Sequence, residues 1–446
     1  MTAPTGLERI VLPRWFAPAV FIALPVAASF GAWWLLALSR DFQPATVSLQ
    51  ALTGFDTPSQ ASVEGVVLLL VWYIAVIAAA TIGWRLGVDK RPALRVARYA
   101  GTARFQRYYF SVILAVATVG IGYSYLKIMR NASIVDSLSS QTGNNFTNSL
   151  SGSTGLETLR YATILAAPVG LYLWRQGIVR WPFMLAGLLL LASNSLIASR
   201  LSLLMASVVY LAIWVTANAR SGREGWSTGK RLAALTVIFV VGFSALATLN
   251  FFRNANYYRE AGVTSPVAMN LYQMGSYLGV PAQVSIGVSD AVMTGAWENP
   301  GAPVTSFNAV QPTFLQFTKI KKDDNWKGAD VYGNATVFAP QMFTNSVFAD
   351  TYADWGAWGL PYTVVLYGFA GYLMSRLARY PGVIAGSAGV LAYCFAEVWR
   401  IQIVSYGIVI FLLLLTVGAA VIAGWASKRA AGPGLADVTT GQQVGS

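Results

Sequence analysis

The sequence predicts an all-α fold: a polytopic helical membrane protein of about 10 transmembrane helices, with a large outer loop carrying short interfacial helices. Hydrophobic residues make up 55% of the 446-residue chain and charged residues only 11%, against about 25% charged in soluble domains. Mean hydropathy is +0.53. The apolar residues also gather into runs of the length a membrane helix needs, about 20 residues.

Those runs lie near 15–38, 62–86, 109–129, 160–175, 181–198, 200–217, 231–250, 357–376, 382–399 and 402–426. The first is long and lacks a small-residue cleavage signature, so it reads as an anchor and not a removed signal peptide. The chain divides into a membrane bundle of about seven spans (1–250), a large outer loop (251–356), about three further spans (357–427) and a tail (428–446). The tail, "AAGPGLADVTTGQQVGS" after its basic start, is Gly-rich and polar and is expected to be disordered. Cys394 is the only cysteine, which excludes a disulfide within the chain. There is no histidine, so the commonest general base and the commonest zinc ligand are both missing.

Basic residues set the orientation. With the N-terminus inside, the inner segments hold Arg9, Arg14, the cluster from Arg85 through Lys90, Arg91, Arg95, Arg98 and Arg104 to Arg107, then Arg175, Arg180, Arg220, Arg223, Lys230, Arg231, Arg376, Arg379, Lys428 and Arg429. Against them stand only Glu8, Asp89, Glu224 and Asp437. Both termini are therefore expected in the cytoplasm, and the net charge of +13 is explained by orientation and anionic inner-leaflet lipid. No nucleic-acid partner is needed. The inner loops are too short for a catalytic domain, and no Gly-x-x-x-x-Gly-Lys-Ser/Thr phosphate loop occurs. The long polar segments, 39–61, 130–159 and above all 251–356, fall outside. The last far exceeds an ordinary connection. It is rich in Asn, Tyr, Trp, Phe and Gly, a composition that suits either a sugar-binding groove or an interfacial aromatic belt.

One arginine interrupts the tract "LLLLASNSLIASRLSLLMASVVYL". A guanidinium at a bilayer centre costs about 2.5–3.5 kcal/mol on insertion scales. The polar "SNSLIASR" reads as a break between two short spans, so that Arg200 opens the second one at the outer side, among Ser193, Asn194, Ser195 and Ser199. Arg200 could simply snorkel to the headgroups. It has company, however. "LNFFRNANYYRE" sets Arg253 and Arg259 past the outer end of the next span, with Tyr257 beside them, and "FAEVWRIQIVSY" sets Glu397 and Arg400 at the last outer turn. Guanidiniums that converge without matching carboxylates suit phosphate or pyrophosphate, which their planar fork binds bidentately. A helix start at Arg200 adds backbone N–H groups. An Arg400–Glu397 contact also reads as a structural pair. Candidate bases are Asp350 and Asp354 in "NSVFADTYADWGAWG", Glu397 and Asp290.

Taken together, "SNSLIASRLSLL", "FFRNAN", "ADTYADWGAWG" and "EVWRIQIVSY" resemble the Wzy-type oligosaccharide repeat-unit (O-antigen) polymerases, part of a polymerase and ligase superfamily of the bacterial inner membrane. The resemblance runs from about Leu185 to Ile410. It implies a glycosyltransferase that moves a growing glycan from polyprenyl pyrophosphate onto a fresh lipid-linked repeat unit. Arg200, Arg253 and Arg400 match the functional arginines, and Asp350 with Tyr352 matches the acid-x-Tyr position. The related ligases use a histidine in the large loop, which this chain lacks. Lipid-linked donor and acceptor, membrane lipids, a flippase and a chain-length regulator are the implied partners. No cofactor and no metal are expected, because arginines would take the place of a divalent cation, and direct displacement would invert the anomeric carbon. Two alternatives stay open: a lipid-linked glycan transporter, and a transferase using polyprenyl monophosphate sugars, whose usual first-loop acids are here only the scattered Asp41, Asp56 and Glu64.

Overall fold

The computed structural model describes residues 11–38, 62–88, 99–131, 150, 155–198, 200–221, 256, 258–260, 262–295 and 346–429. Among them the regular structure is entirely helical. The helices are α1 (Pro18–Leu38), α2 (Val63–Val88), α3 (Ala103–Asn131), α4 (Thr163–Arg175), α5 (Trp181–Ala198), α6 (Arg200–Ser221), α7 (Pro266–Met293), α8 (Val347–Trp355), α9 (Gly359–Ala378), α10 (Ser387–Ala396) and α11 (Gly407–Arg429). Of these, α1, α2, α3, α6 and α11 are long and apolar enough to cross a membrane. The run expected at 231–250 and the tail beyond Arg429 lie outside the described residues.

Two of the expected runs are broken helices. The run at 160–175 is an eight-residue 3₁₀ segment, Gly155–Ala162, feeding the 13-residue α4. Because 3₁₀ helix rises about 2.0 Å per residue and α-helix about 1.5 Å, the two together reach roughly 35 Å. The run at 382–399 is a 3₁₀ turn, Gly382–Gly386, followed by the 10-residue α10.

Packing partners fix the direction of each helix. The 3₁₀ segment and α4 run antiparallel to α3: Lys127 meets Glu157, Gly120 meets Arg160, Phe110 meets Gly170, and Arg107 donates to the Ile178 carbonyl. α5 turns back along α4, Gly187 against Ala166 and Asn194 against Thr163. α6 then descends beside α10, with Ile213 on Gly386 and Val209 on Gly389. α2 and α9 run parallel with backbones in contact: Gly83 faces the Gly368 carbonyl, Gly371 faces the Ala80 carbonyl, and Gly87 faces Ser375. Small residues allow this approach, the usual device where lipid removes any hydrophobic drive between helices.

The directions sort the charges. Arg85, Arg104, Arg107, Arg175, Arg180, Arg220, Arg376, Arg379, Lys428 and Arg429 gather at one end of the bundle. Arg14 joins them, since neighbouring Phe16 packs on Trp84. Glu64, Glu157, Asp290, Glu397 and α8 with Asp350 and Asp354 stand at the opposite end. The bundle's outside is apolar, with Leu24, Leu70, Ile74, Val365, Phe369 and Val421 exposed, while Asn194, Thr216, Ser375, Ser387 and Thr416 are buried. Apolar side chains outward and hydrogen-bonded polar ones inward are the pattern of a helical membrane protein.

The segment expected to carry only short helices contains one of 28 residues, α7. Ser265 caps it, accepting from the Ala268 N–H at 3.5 Å, and Pro266 occupies its first turn. It packs on α1 and α2 near the acidic end. Ser29 donates to the Leu278 carbonyl at 2.6 Å, Trp33 to the Gln283 side chain, the Ser62 N–H to Asp290 at 2.9 Å, and Ser289 to the Gly65 carbonyl. No apolar run announces α7, because Asn270, Gln273, Ser276, Gln283, Ser285 and Ser289 lie on its buried face.

The α2–α9 seam makes a prediction. A methyl at Gly371 would collide with the Ala80 carbonyl, whereas at Gly368 it would sit 3.5 Å from the Ala79 carbonyl. Gly371→Ala should destabilise the purified protein by about 1–3 kcal/mol, the usual cost of overpacking, and Gly368→Ala should leave its thermal melt within error. Equal melts for the two variants would exclude direct backbone contact.

Candidate functional site

α5 runs to Ala198 and α6 begins at Arg200. This corrects the sequence expectation. Ser193, Asn194 and Ser195 do not form the break; they lie inside α5. Asn194 is fully buried, and its Nδ2 donates to Thr163 Oγ1 at 2.9 Å and to Ser202 Oγ at 3.1 Å. The amide thus bolts the start of α4 and the first turn of α6 to α5. The Tyr125 hydroxyl adds a bond to the Ser193 carbonyl at 2.9 Å. Arg200 does open a helix, as expected, and a helix N-terminus carries partial positive charge. Its side chain lies outside the described atoms, and residues Arg253 and Tyr257 lie outside the described residues.

Arg400 is buried, 6% exposed. Its Nε donates to Glu397 Oε2 at 2.7 Å. The guanidinium lies 4.4 Å from the Tyr277 ring centroid and 5.7 Å from that of Trp399, and the two rings meet edge-on at 6.2 Å. This is the Glu397–Arg400 pair that spacing suggested, enclosed by an aromatic pair in which Tyr277 comes from α7. Cation–π contact of this kind gives about 0.5–2 kcal/mol as the site dries. α8 is tied to the same turn, because Thr351 donates to the Gln402 side chain at 3.1 Å and receives a bond from Thr363 at 3.2 Å. Asp350 and Tyr352 therefore sit on a helix anchored two residues from Arg400. The Asp350 side chain lies outside the described atoms. Tyr352 is buried, and burial raises its phenol above the ordinary tyrosine value.

The antiparallel register of α6 on α10, Ile213 with Gly386 and Val209 with Gly389, carries the Arg200 backbone to about the level of Val398 when continued at one residue per residue. The Arg200 helix start and the Arg400 turn therefore share one end of the bundle. Arg259 is exposed and donates to Asn256 Oδ1 at 3.2 Å.

Sequence reasoning missed a third guanidinium. Arg160, in the 3₁₀ segment before α4, is 8% exposed. Its Nη2 donates to the Tyr161 hydroxyl at 3.1 Å, its Cζ lies 4.9 Å from that ring's centroid, and its Nη1 is 3.6 Å from Glu157 Oε2. Lys127 reaches the other Glu157 oxygen at 3.2 Å. The Arg160 carbonyl accepts from Thr163 Oγ1 at 2.9 Å, which links it through Thr163 and Asn194 to the first turn of α6. The signal in the sequence is the i, i+3 pair in "GLETLRYA", which straddles the boundary between the polar segment 130–159 and the apolar run 160–175. Chemically, this end of the bundle offers guanidinium donors, a helix start and aromatic faces, groups that can hold an anion and stack on apolar rings. No protein-family model matches the chain, and neither a curated protein nor a solved structure matches it.

Proposed function

We propose that the chain is a glycosyltransferase of the bacterial inner membrane that polymerises oligosaccharide repeat units carried on polyprenyl pyrophosphate. The observation that carries the reading is the gathering of Arg160, the Arg200 helix start and Arg400 at the end of the bundle opposite the arginine-rich end. By the positive-inside rule the arginine-rich end is cytoplasmic, so the site faces outward, with both termini inside. There, away from nucleotide sugars, a glycan on lipid pyrophosphate is an activated donor. The full reading keeps about ten spans and assigns 251–356 to the outer face, with α7 lying against the outer half of α1 and α2.

In this mechanism the arginines and the α6 N-terminus stabilise charge growing on the leaving pyrophosphate, the preorganised electrostatics that usually supplies the largest share of catalysis. Arg200 and Arg253 clamp the phosphates. Glu397 holds Arg400 in a fixed pose, and Tyr277 of α7 and Trp399 cover it. Asp350 takes the proton of the attacking hydroxyl as the sugar–phosphate bond breaks, and Tyr352 and Tyr257 contact the glycan.

Orientation is checked with single cysteines in a Cys394→Ser background. Asn131→Cys and Thr294→Cys should react with an impermeant maleimide in intact cells, and Thr102→Cys and Gln176→Cys should not. Equal reaction at all four sites would remove the outward-facing site.

The reaction is checked with purified protein and one synthetic lipid-pyrophosphate repeat unit. A ladder of longer glycans should form without nucleotide and with chelator present. Arg200→Ala and Arg253→Ala should abolish it. Lysine at either position should rescue poorly, since a point charge does not reproduce the bidentate fork. Asp350→Asn should cost about 10²–10⁴-fold, the usual worth of a general base. Lipid translocation without elongation would establish the transporter instead, and strict dependence on a divalent ion would establish the monophosphate-sugar transferase.

A further inference from the structure

Arg160 holds more charge than its partners consume. The residue is 8% exposed, yet its Nε and Nη1 have no hydrogen-bond acceptor among the described residues. Glu157 does not supply one: its Oε2 stands 3.6 Å from Nη1, an ion pair beyond hydrogen-bond reach, and its Oε1 is taken by Lys127. Two cations therefore share one carboxylate. Through Thr163, which bonds the Arg160 carbonyl, the group connects to Asn194, whose Oδ1 is buried with no partner among the described residues while its Nδ2 bonds Thr163 and Ser202. A buried guanidinium N–H left unpaired loses its full hydration with nothing in return. Lys127 keeps a 25% exposed side chain, so the group reaches the surface through Lys127.

We propose that Arg160 is a buried anion receptor that takes oxygens of a phosphate or pyrophosphate group at Nε and Nη1, admitted past Lys127. The ligand class follows from the donors. Guanidinium N–H groups on two edges of one plane suit a multi-oxygen anion, and the surplus positive charge of the Lys127–Glu157–Arg160 group neutralises it. Glu157 acts as the internal counter-ion that holds the two cations apart when the ligand is absent and competes with the ligand for both. The assignment of the phosphate to a polyprenyl carrier rests on the function proposed above; the receptor itself does not.

Binding of inorganic pyrophosphate to the full chain in phosphatidylcholine nanodiscs is the test, with the unliganded melting temperature of every variant measured alongside. Arg160→Gln and Arg160→Lys should weaken binding by about tenfold or more, since a hydrogen bond to a charged group is worth that much. Glu157→Gln should tighten it by about threefold, because it removes the competing carboxylate at a partly screened site. Unchanged affinity in the Arg160 variants overturns the proposal. So does weaker or unaltered binding in Glu157→Gln, a measurement that holds even if the Arg160 variants fail to fold. Competition identifies the source: displacement by undecaprenyl pyrophosphate in the disc assigns a lipid-linked pyrophosphate, displacement by phosphatidylglycerol an ordinary headgroup, and displacement by neither a free anion. A chain that binds through Arg160 but never elongates a glycan keeps this receptor and loses the polymerase. A chain that elongates while Arg160→Gln binds at wild-type affinity keeps the polymerase and loses the receptor.

Discussion

A guanidinium withdrawn from water must find acceptors where it goes, at a desolvation cost of several kcal/mol per ion if it does not. The acidic end of this bundle is organised around that requirement. Arg400 meets it with a carboxylate three residues earlier and two aromatic faces. Arg160 meets it in part, through Tyr161 and a carboxylate shared with Lys127. Each solution recruits neighbouring elements. Enclosing Arg400 requires α7 to lie close enough for Tyr277 to reach it, and the Glu157 that pairs with Arg160 is shared with Lys127 of α3. The helix arrangement at this end is thus inseparable from how its cations are housed.

The same accounting explains the polar residues inside the bundle. Asn194 would be expensive in lipid, but it links three helices where they meet. Ser387 and Thr416 share one bond at 2.7 Å between α10 and α11. These contacts do what apolar packing cannot do in a membrane, because lipid tails compete equally for apolar surface. They specify which helices are neighbours and at what register.

The helical membrane class was legible from hydropathy, and so were α1, α2, α3, α6 and α11, since continuous apolar runs of that length have one stable outcome. The division of the tract into two helices was legible, but "SNS" was misassigned to the break, because it resembles loop and only the fold reveals that Asn194 has partners inside. The Glu397–Arg400 pair was legible from its spacing. Tyr277 was not, because it arrives from a distant helix whose buried face is polar. Arg160 was missed because a 3₁₀ run lacks the 3.6-residue period that marks a helix, leaving its two charges looking like loop residues. Where the chemistry depends on side chains brought together from far apart, local pattern carries no signal.

The parallel seam between α2 and α9 has a consequence for biogenesis. Its two glycine faces are separated by about 280 residues, which a ribosome working at roughly 5–20 residues per second takes tens of seconds to deliver. Through that interval α2 sits in the bilayer with Gly83 and Gly87 turned toward a neighbour that has not been made. The groove must be filled meanwhile by lipid or by an insertion factor, and α9 must displace that occupant to seat. This close backbone contact between distant parts of the chain is also among the last to form, so completion of the bundle waits on the final third of the polypeptide.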